Sequence, residues 1–339
     1  MKSRMTVAGA ALGLLLGSAF AAPTALEAQG PDGRWPLQPT SRNNRVIAPF
    51  MEGWYANEDG TYSISFGYLN MNGEVLEIPL GEDNFLEPAQ FDGMQPTYFE
   101  SGHPRGLFTV TLPASMRDLS VWWNIRNPNG ELTRVPGRTT ATAYELDWTP
   151  RPHGSLPPRV TFDGQSEAGR GPPGIMAERV VSARVGQQIV LAVTGEDLSQ
   201  RDQSERRFQN IAIRATWAKH QGPVGGEVEF TRHESNPVPP PAEGRGGRGG
   251  AAPDSVGGNA PAGGGGGGGR GRGGRGGGPP APEVISLAEG RGTAQVYATF
   301  SAPGEYVMRV QVDNFSAPDS SSGNQCCWTN GYVRVNVTP

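Results

Sequence analysis

Thr299–Asn314, TFSAPGEYVMRVQVDN, and Gln325–Thr338, QCCWTNGYVRVNVT, decide the fold. In the first, Tyr306, Met308, Val310 and Val312 alternate with Val307, Arg309, Gln311 and Asp313. A period of two, with one apolar side and one mixed side, is the pattern of a half-buried strand. Pro303-Gly304 supplies a turn just before it. In the second, Val333, Val335 and Val337 alternate with Arg334, Asn336 and Thr338. Two such runs separated by a polar loop predict the closing strands of a β-sandwich. Cys326-Cys327, the only cysteines of the chain, stand at the start of the last one.

Upstream, the signals are again β. Thr61–Tyr68, TYSISFGY, puts Tyr62, Ile64, Phe66 and Tyr68 on one face. Asn72-Gly73 and Asn129-Gly130 are dipeptides that favour two-residue hairpin turns. Val75–Leu80, Gly106–Leu112, Leu119–Ile125 and Leu132–Val135 read as strands, with short pieces at Glu52–Tyr55 and Thr97–Phe99. About seven strands in about a hundred residues suit an immunoglobulin-like sandwich. Trp148–Pro158, WTPRPHGSLPP, reads as a Pro-rich linker. Strands resume at Arg159–Phe162, Glu178–Val185, Gln188–Thr194, Asn210–Lys219 and Glu227–Thr231. The best helical candidate, Gln200–Phe208, is short and polar.

The expected architecture is therefore all-β: two immunoglobulin-like antiparallel β-sandwiches, at 45–147 and 159–339, joined by the linker 148–158. Residues 237–282, with about twenty glycines and several prolines, interrupt the second. Such a composition cannot bury enough apolar surface to offset chain entropy, so a long disordered Gly/Arg/Pro-rich loop is expected. Loop-closure cost grows only with the logarithm of length, so one sandwich can accommodate it between neighbouring strands.

Residues 1–28 read as a signal peptide. Lys2 and Arg4 precede a short apolar run, and cleavage is expected after Ala21 or Ala28. The run is too short to span a bilayer and nothing later is long enough, so no transmembrane segment is expected in the mature protein. That places the mature chain outside the cytoplasm, in the periplasm or the extracellular space, where cysteines oxidise. The formal net charge of −4 gives no dominant basic domain.

Val185-Gly186-Gln187, Ala215-Thr216-Trp217 with Gly222-Pro223, and Thr299–Tyr306 resemble the corresponding strands of bacterial immunoglobulin-like domains of the polycystic-kidney-disease-repeat kind. ATWAKHQGP stands where that family carries its Trp-Asp signature. The whole chain also resembles secreted bacterial proteins, uncharacterised in activity, that pair a GWY…DGTYSISFGY domain with a CCWTNGYV ending. The resemblance implies sandwich domains that serve as spacers, adhesion modules or accessory binding modules.

For chemistry, Cys326 and Cys327 come first. Adjacent cysteines can close a strained vicinal disulfide, read either as a rigidifying ring or as a redox-labile or intermolecular link. No metal site is expected, because no histidine follows His233 and two thiolates leave a tetrahedron half filled. The arginines of the Gly-rich tract lack interleaved aromatics, so no nucleic-acid partner is expected. Of the aromatics, adjacent Trp122 and Trp123 must point to opposite faces of one strand, making them the candidates for an exposed binding aromatic. The acidic runs at Asn57–Asp59, Glu82–Asn84 and Asp313-Asn314 lack a calcium-loop register. No GxSxG, HExxH or phosphate loop occurs, so no catalytic residues are assigned. The resulting expectation is a non-catalytic exported module without cofactor, binding a protein or polysaccharide of the envelope or beyond. The alternatives are a carbohydrate-binding accessory protein and a redox or enzymatic protein centred on Cys326-Cys327.

Overall fold

The computed structural model describes residues 45–206, 211–238, 283–320 and 326–339. The signal peptide, the lead-in up to residue 44 and nearly all of the Gly-rich insertion lie outside the described residues. The nine strands of the N-terminal half are β1 (Ile47–Ala56), β2 (Tyr62–Asn70), β3 (Leu76–Glu77), β4 (Asn84–Glu87), β5 (Tyr98–Phe99), β6 (Phe108–Leu112), β7 (Val121–Arg126), β8 (Leu132–Gly137) and β9 (Glu145–Leu146). The C-terminal half holds β10 (Arg159–Thr161), β11 (Gly169–Arg170), β12 (Ile175–Met176), β13 (Val181–Arg184), β14 (Gln188–Glu196), β15 (Ile213–Gln221), β16 (Val228–Arg232), β17 (Val284–Leu287), β18 (Arg291–Phe300), β19 (Gly304–Asp313) and β20 (Trp328–Thr338). The protein is all-β; among the described residues no helix is long and apolar enough to cross a membrane. Of the helical candidate Gln200–Phe208, the residues up to Glu205 are coil, turn and bend, with the Glu205 N–H donating to Asp202 O, and Arg206 is in 3-10 conformation.

In the N-terminal half, the sheet β6-β2-β1-β9 faces the sheet β4-β7-β8, with β3-β5 alongside. Ile64, Phe66 and Phe108 from the first meet Leu86, Trp123 and Ile125 from the second in one core. The alternation of TYSISFGY is what delivers Ile64, Phe66 and Tyr68 there. Aromatic rings fix the packing: Phe66 stacks on Phe108 at 5.3 Å between centroids, and Trp123 meets Phe108 edge-on at 5.0 Å.

The two Asn-Gly dipeptides part ways. At Asn129-Gly130, β7 and β8 form the expected hairpin, closed by the Asn127 N–H donating to Glu131 O, with Gly130 at φ +85°. At Asn72-Gly73 the expected hairpin does not form: β2 pairs with β1 and β6, and β3 with β5. Asn72 is buried instead. Its amide donates to Arg45 O and Asn70 Oδ1, and its Oδ1 accepts the Arg45 N–H. The side chain thus holds the start of the domain, and the chain leaves the sheet before it can fold back.

In the C-terminal half, β11-β10-β14-β18-β16 covers β12-β20-β19-β15-β17, and β13 also pairs with β20. Long antiparallel ladders dominate: β19 and β20 pair from Gly304↔Val337 to Asp313↔Trp328. Tyr306, Met308, Val310, Val312, Val333, Val335 and Val337 all enter the core, as their alternation requires. Strands from both sides of the insertion pair directly, β16 with β18 and β15 with β17. The described residues belong to one compact unit, Asn43–Pro339. Trp148–Pro158 is pinned between the halves. Trp148 stacks on Tyr55 at 4.4 Å, and Asn314 Nδ2 donates to Leu156 O.

Candidate functional site

The two halves meet along a seam built from the end of β15, and its origin is a break in alternation. Through β15, Ile213, Ala215 and Trp217 point into the core. A register shift against β19 between Lys219 and Gln221 then buries two consecutive polar residues, Lys219 and His220. Lys219 is the only lysine after Lys2. Its ammonium pairs with Glu77 of β3, donates to Gly226 O at 2.7 Å, and lies 4.8 Å from the centre of the Tyr98 ring. One buried cation is thereby matched by a carboxylate and a carbonyl, which a group removed from water requires.

His220 sits across from Met94, whose carbonyl oxygen lies 2.8 Å from Nε2. A carbonyl only accepts, so Nε2 carries a proton. Burial pushes its pKa down to about 3, and the nearby Arg309 charge adds to this, against the Met94 bond, so the ring is neutral at neutral pH. Around it the Thr97 N–H donates to His220 O, and Gln221 Nε2 donates to Gly93 O and Gln95 O. From β20, Asn330 Nδ2 donates to Gly106 O and the Tyr332 hydroxyl to Leu107 O, both at 2.6 Å.

Beside these contacts lies a small recess of about 10 Å³, room for about one water, lined by Tyr68, Tyr98, Glu100, Lys219, His220 and Arg309. Burial, reinforced by the Glu227, Glu100 and Glu77 carboxylates, pushes the Tyr98 phenol up to about 12, so it remains a donor at neutral pH. Arg309 reaches the amide oxygens of Gln311 and Asn330 only at 3.4 Å.

Trp123 is fully buried, and its Nε1 donates to Asn84 Oδ1 at 3.0 Å. Trp122, on the opposite face of β7, is half-buried. The Arg134 guanidinium lies 3.9 Å from its ring centre and that of Arg138 6.0 Å away. Cys326 and Cys327 are joined by a disulfide and buried. Cys327 has φ +78°, and its carbonyl accepts the Asn314 N–H at 3.0 Å. Asn314 Nδ2 in turn reaches Asp197 and Ser199, so the ring buttresses a buried polar hub. Among the described residues no group of three or more His, Cys, Asp or Glu side chains converges to hold a metal.

Sequence reasoning passed over two sites. The seam had a visible sign: three successive polar residues, Lys219-His220-Gln221, ending an alternating strand. The other, Glu52 with His103 at 3.1 Å and Arg105 at 3.3 Å, joins residues about fifty positions apart and has no local sign. Its carboxylate lies over Gly67, where a Cβ would come within 2.5 Å of Oε1. The chain matches no protein-family model, and no curated protein matches it.

Proposed function

We propose that this protein is an exported, non-catalytic interaction or structural module of the cell envelope or extracellular space. It would display two β-sandwiches, the second immunoglobulin-like, at one fixed angle to a protein or polysaccharide partner. The observation that carries the reading is the seam: Lys219, His220, Gln221, Asn330 and Tyr332 all spend their polar groups joining the halves. The immunoglobulin-like assignment draws support from the order β10-β14-β18-β16 opposite β20-β19-β15-β17. Burial of Cys326 and Cys327 favours a structural ring over a redox centre.

The test pairs two measurements on the exported protein. Calorimetry should give one unfolding transition for both halves, and the protein should be retained on isolated envelope or insoluble polysaccharide. Two separated transitions, or a thiol-dependent turnover abolished by Cys326→Ser, would overturn the proposal. A second reading, carbohydrate binding, is favoured by Trp122, the one of the two adjacent tryptophans that reaches the surface.

A further inference from the structure

The outer face of β4-β7-β8 carries a charge pattern at odds with the half it belongs to. Residues 45–147 contain fourteen Asp and Glu, six Arg and no Lys. Four of the six arginines, Arg117, Arg126, Arg134 and Arg138, fall within a short stretch in and around the β7–β8 hairpin. Two of them converge on one indole. In the β7–β8 register Trp122 lies opposite Pro136, which sets Arg134 and Arg138 on its two diagonals. Cross-strand diagonals are within reach of long side chains. Both guanidinium groups accordingly gather at Trp122, at 3.9 and 6.0 Å from the ring centre. The indole holds them by cation–π attraction and limits the rotamer freedom that ligand binding would otherwise have to remove. Beside them, Asn124 Nδ2 donates to Glu87 Oε2 at 3.2 Å, and Glu87 stands 4.0 Å from Arg134.

We propose that Trp122, Arg134 and Arg138 form a binding site for an acidic polysaccharide of the uronate class. This rests on the carbohydrate reading of the protein. Two pre-positioned guanidinium groups suit two carboxylates along a chain, since each fork can bond a carboxylate through two N–H groups. The exposed Glu87 carboxylate decides between a glycan and an acidic peptide. Asn124, itself buried, donates to Glu87 and fixes its carboxylate, which repels side-chain carboxylates but accepts hydrogen bonds from the several hydroxyls that each sugar unit presents. A sheet face rather than a deep pocket suits an extended polymer lying across the strands.

The experiment is affinity electrophoresis of the full exported chain in gels containing polygalacturonate, its fully methyl-esterified form, or polyglutamate, at low and at raised salt. The proposal expects retardation by polygalacturonate alone, weakened by salt. Arg134→Gln and Arg138→Gln should each weaken it about tenfold, the scale of one charge-assisted contact. Trp122→Phe should weaken it less than either, and Arg291→Gln, on the other sandwich, not at all. Melting temperatures of all variants should stay near that of the parent, since these side chains are surface groups. Equal retardation by the methyl ester would overturn the acidic specificity while leaving carbohydrate binding standing. Equal retardation by polyglutamate would overturn the glycan assignment in favour of charge alone. No retardation in any gel would overturn both readings.

Discussion

The two halves solve the same problem, pairing backbone groups removed from water, by different means. In the C-terminal half the strands are long, and the ladders β14–β18, β15–β19 and β19–β20 pair the main chain with itself. In the N-terminal half β3, β5 and β9 have two residues each and β4 has four. Much of that main chain therefore has no ladder partner, and side-chain amides take the place. Asn84 donates to Ile78 O and Pro96 O and accepts from Trp123. Asn70 donates to Phe99 O, Gln95 to Asn84 O, and Asn127 accepts the Ile47 N–H. A buried carbonyl needs a donor, and where strands are short the sequence must supply one on a side chain. The N-terminal half is thus specified by single residues, and the C-terminal half by pattern.

The sharpest way to break this contrast is at the tryptophans. Trp123→Ala and Trp217→Ala should each cost about 3–5 kcal/mol, the range for emptying a buried indole site. The halves should separate in the Phe variants. Trp123→Phe leaves Asn84 Oδ1 without its donor, adding about 1–3 kcal/mol. Trp217 Nε1 has no partner among the described residues, so Trp217→Phe should cost less. Urea titration of the four variants checks this, and equal Phe penalties would contradict the amide account.

Next comes Asn84→Ala, expected to cost about 2–3 kcal/mol by orphaning buried groups. Thr194→Ala, on an exposed ladder position opposite Thr293, should cost within about 0.5 kcal/mol.

The seam between the halves should be acid-sensitive. The folded-state pKa of His220, about 3, lies below the unfolded value of 6.5. The unfolded chain therefore binds more protons in this window. Stability is full above 6.5 and falls as pH drops towards 3, by at most about 1.4 kcal/mol per pH unit. In His220→Gln this part of the slope should vanish. With Lys219 the only lysine past Lys2, its acylation rate reports seam opening directly. A rate that does not rise on acidification below the unfolded histidine range, after correction for amine protonation, would separate His220 from the seam.

A modest effect is expected from Cys326→Ser with Cys327→Ser, about 1 kcal/mol, because the ring closes a minimal loop. Hydrogen exchange should quicken at the Asn314 N–H, which bonds Cys327 O, while the β15–β19 ladder keeps its protection. Loss of protection across both sheets would mean the ring holds the sandwich as a whole.

How legible each part was follows from the same contrast. Tyr306 to Val312 and Val333 to Val337 could be read because each residue's side of the sheet depends only on parity. Asn129-Gly130 could be read because its flanking strands pair with each other. Asn72-Gly73 misled because the fate of Asn72 is decided by Arg45, twenty-seven positions earlier. Trp122 and Trp123 were separable into one inner and one outer ring by alternation alone. The arginines that flank Trp122 were not, since Arg134 and Arg138 reach it only through the β7–β8 register.

The amino-acid sequence by itself determined the β class, the core faces of the long strands and the vicinal cysteine pair, because these depend on neighbours one or two residues apart. Only the tertiary structure decided that Lys219 meets Glu77, that His220 is kept neutral and that two arginines share one indole. Those outcomes depend on desolvation and on contacts between strands far apart in the chain, which no local period encodes.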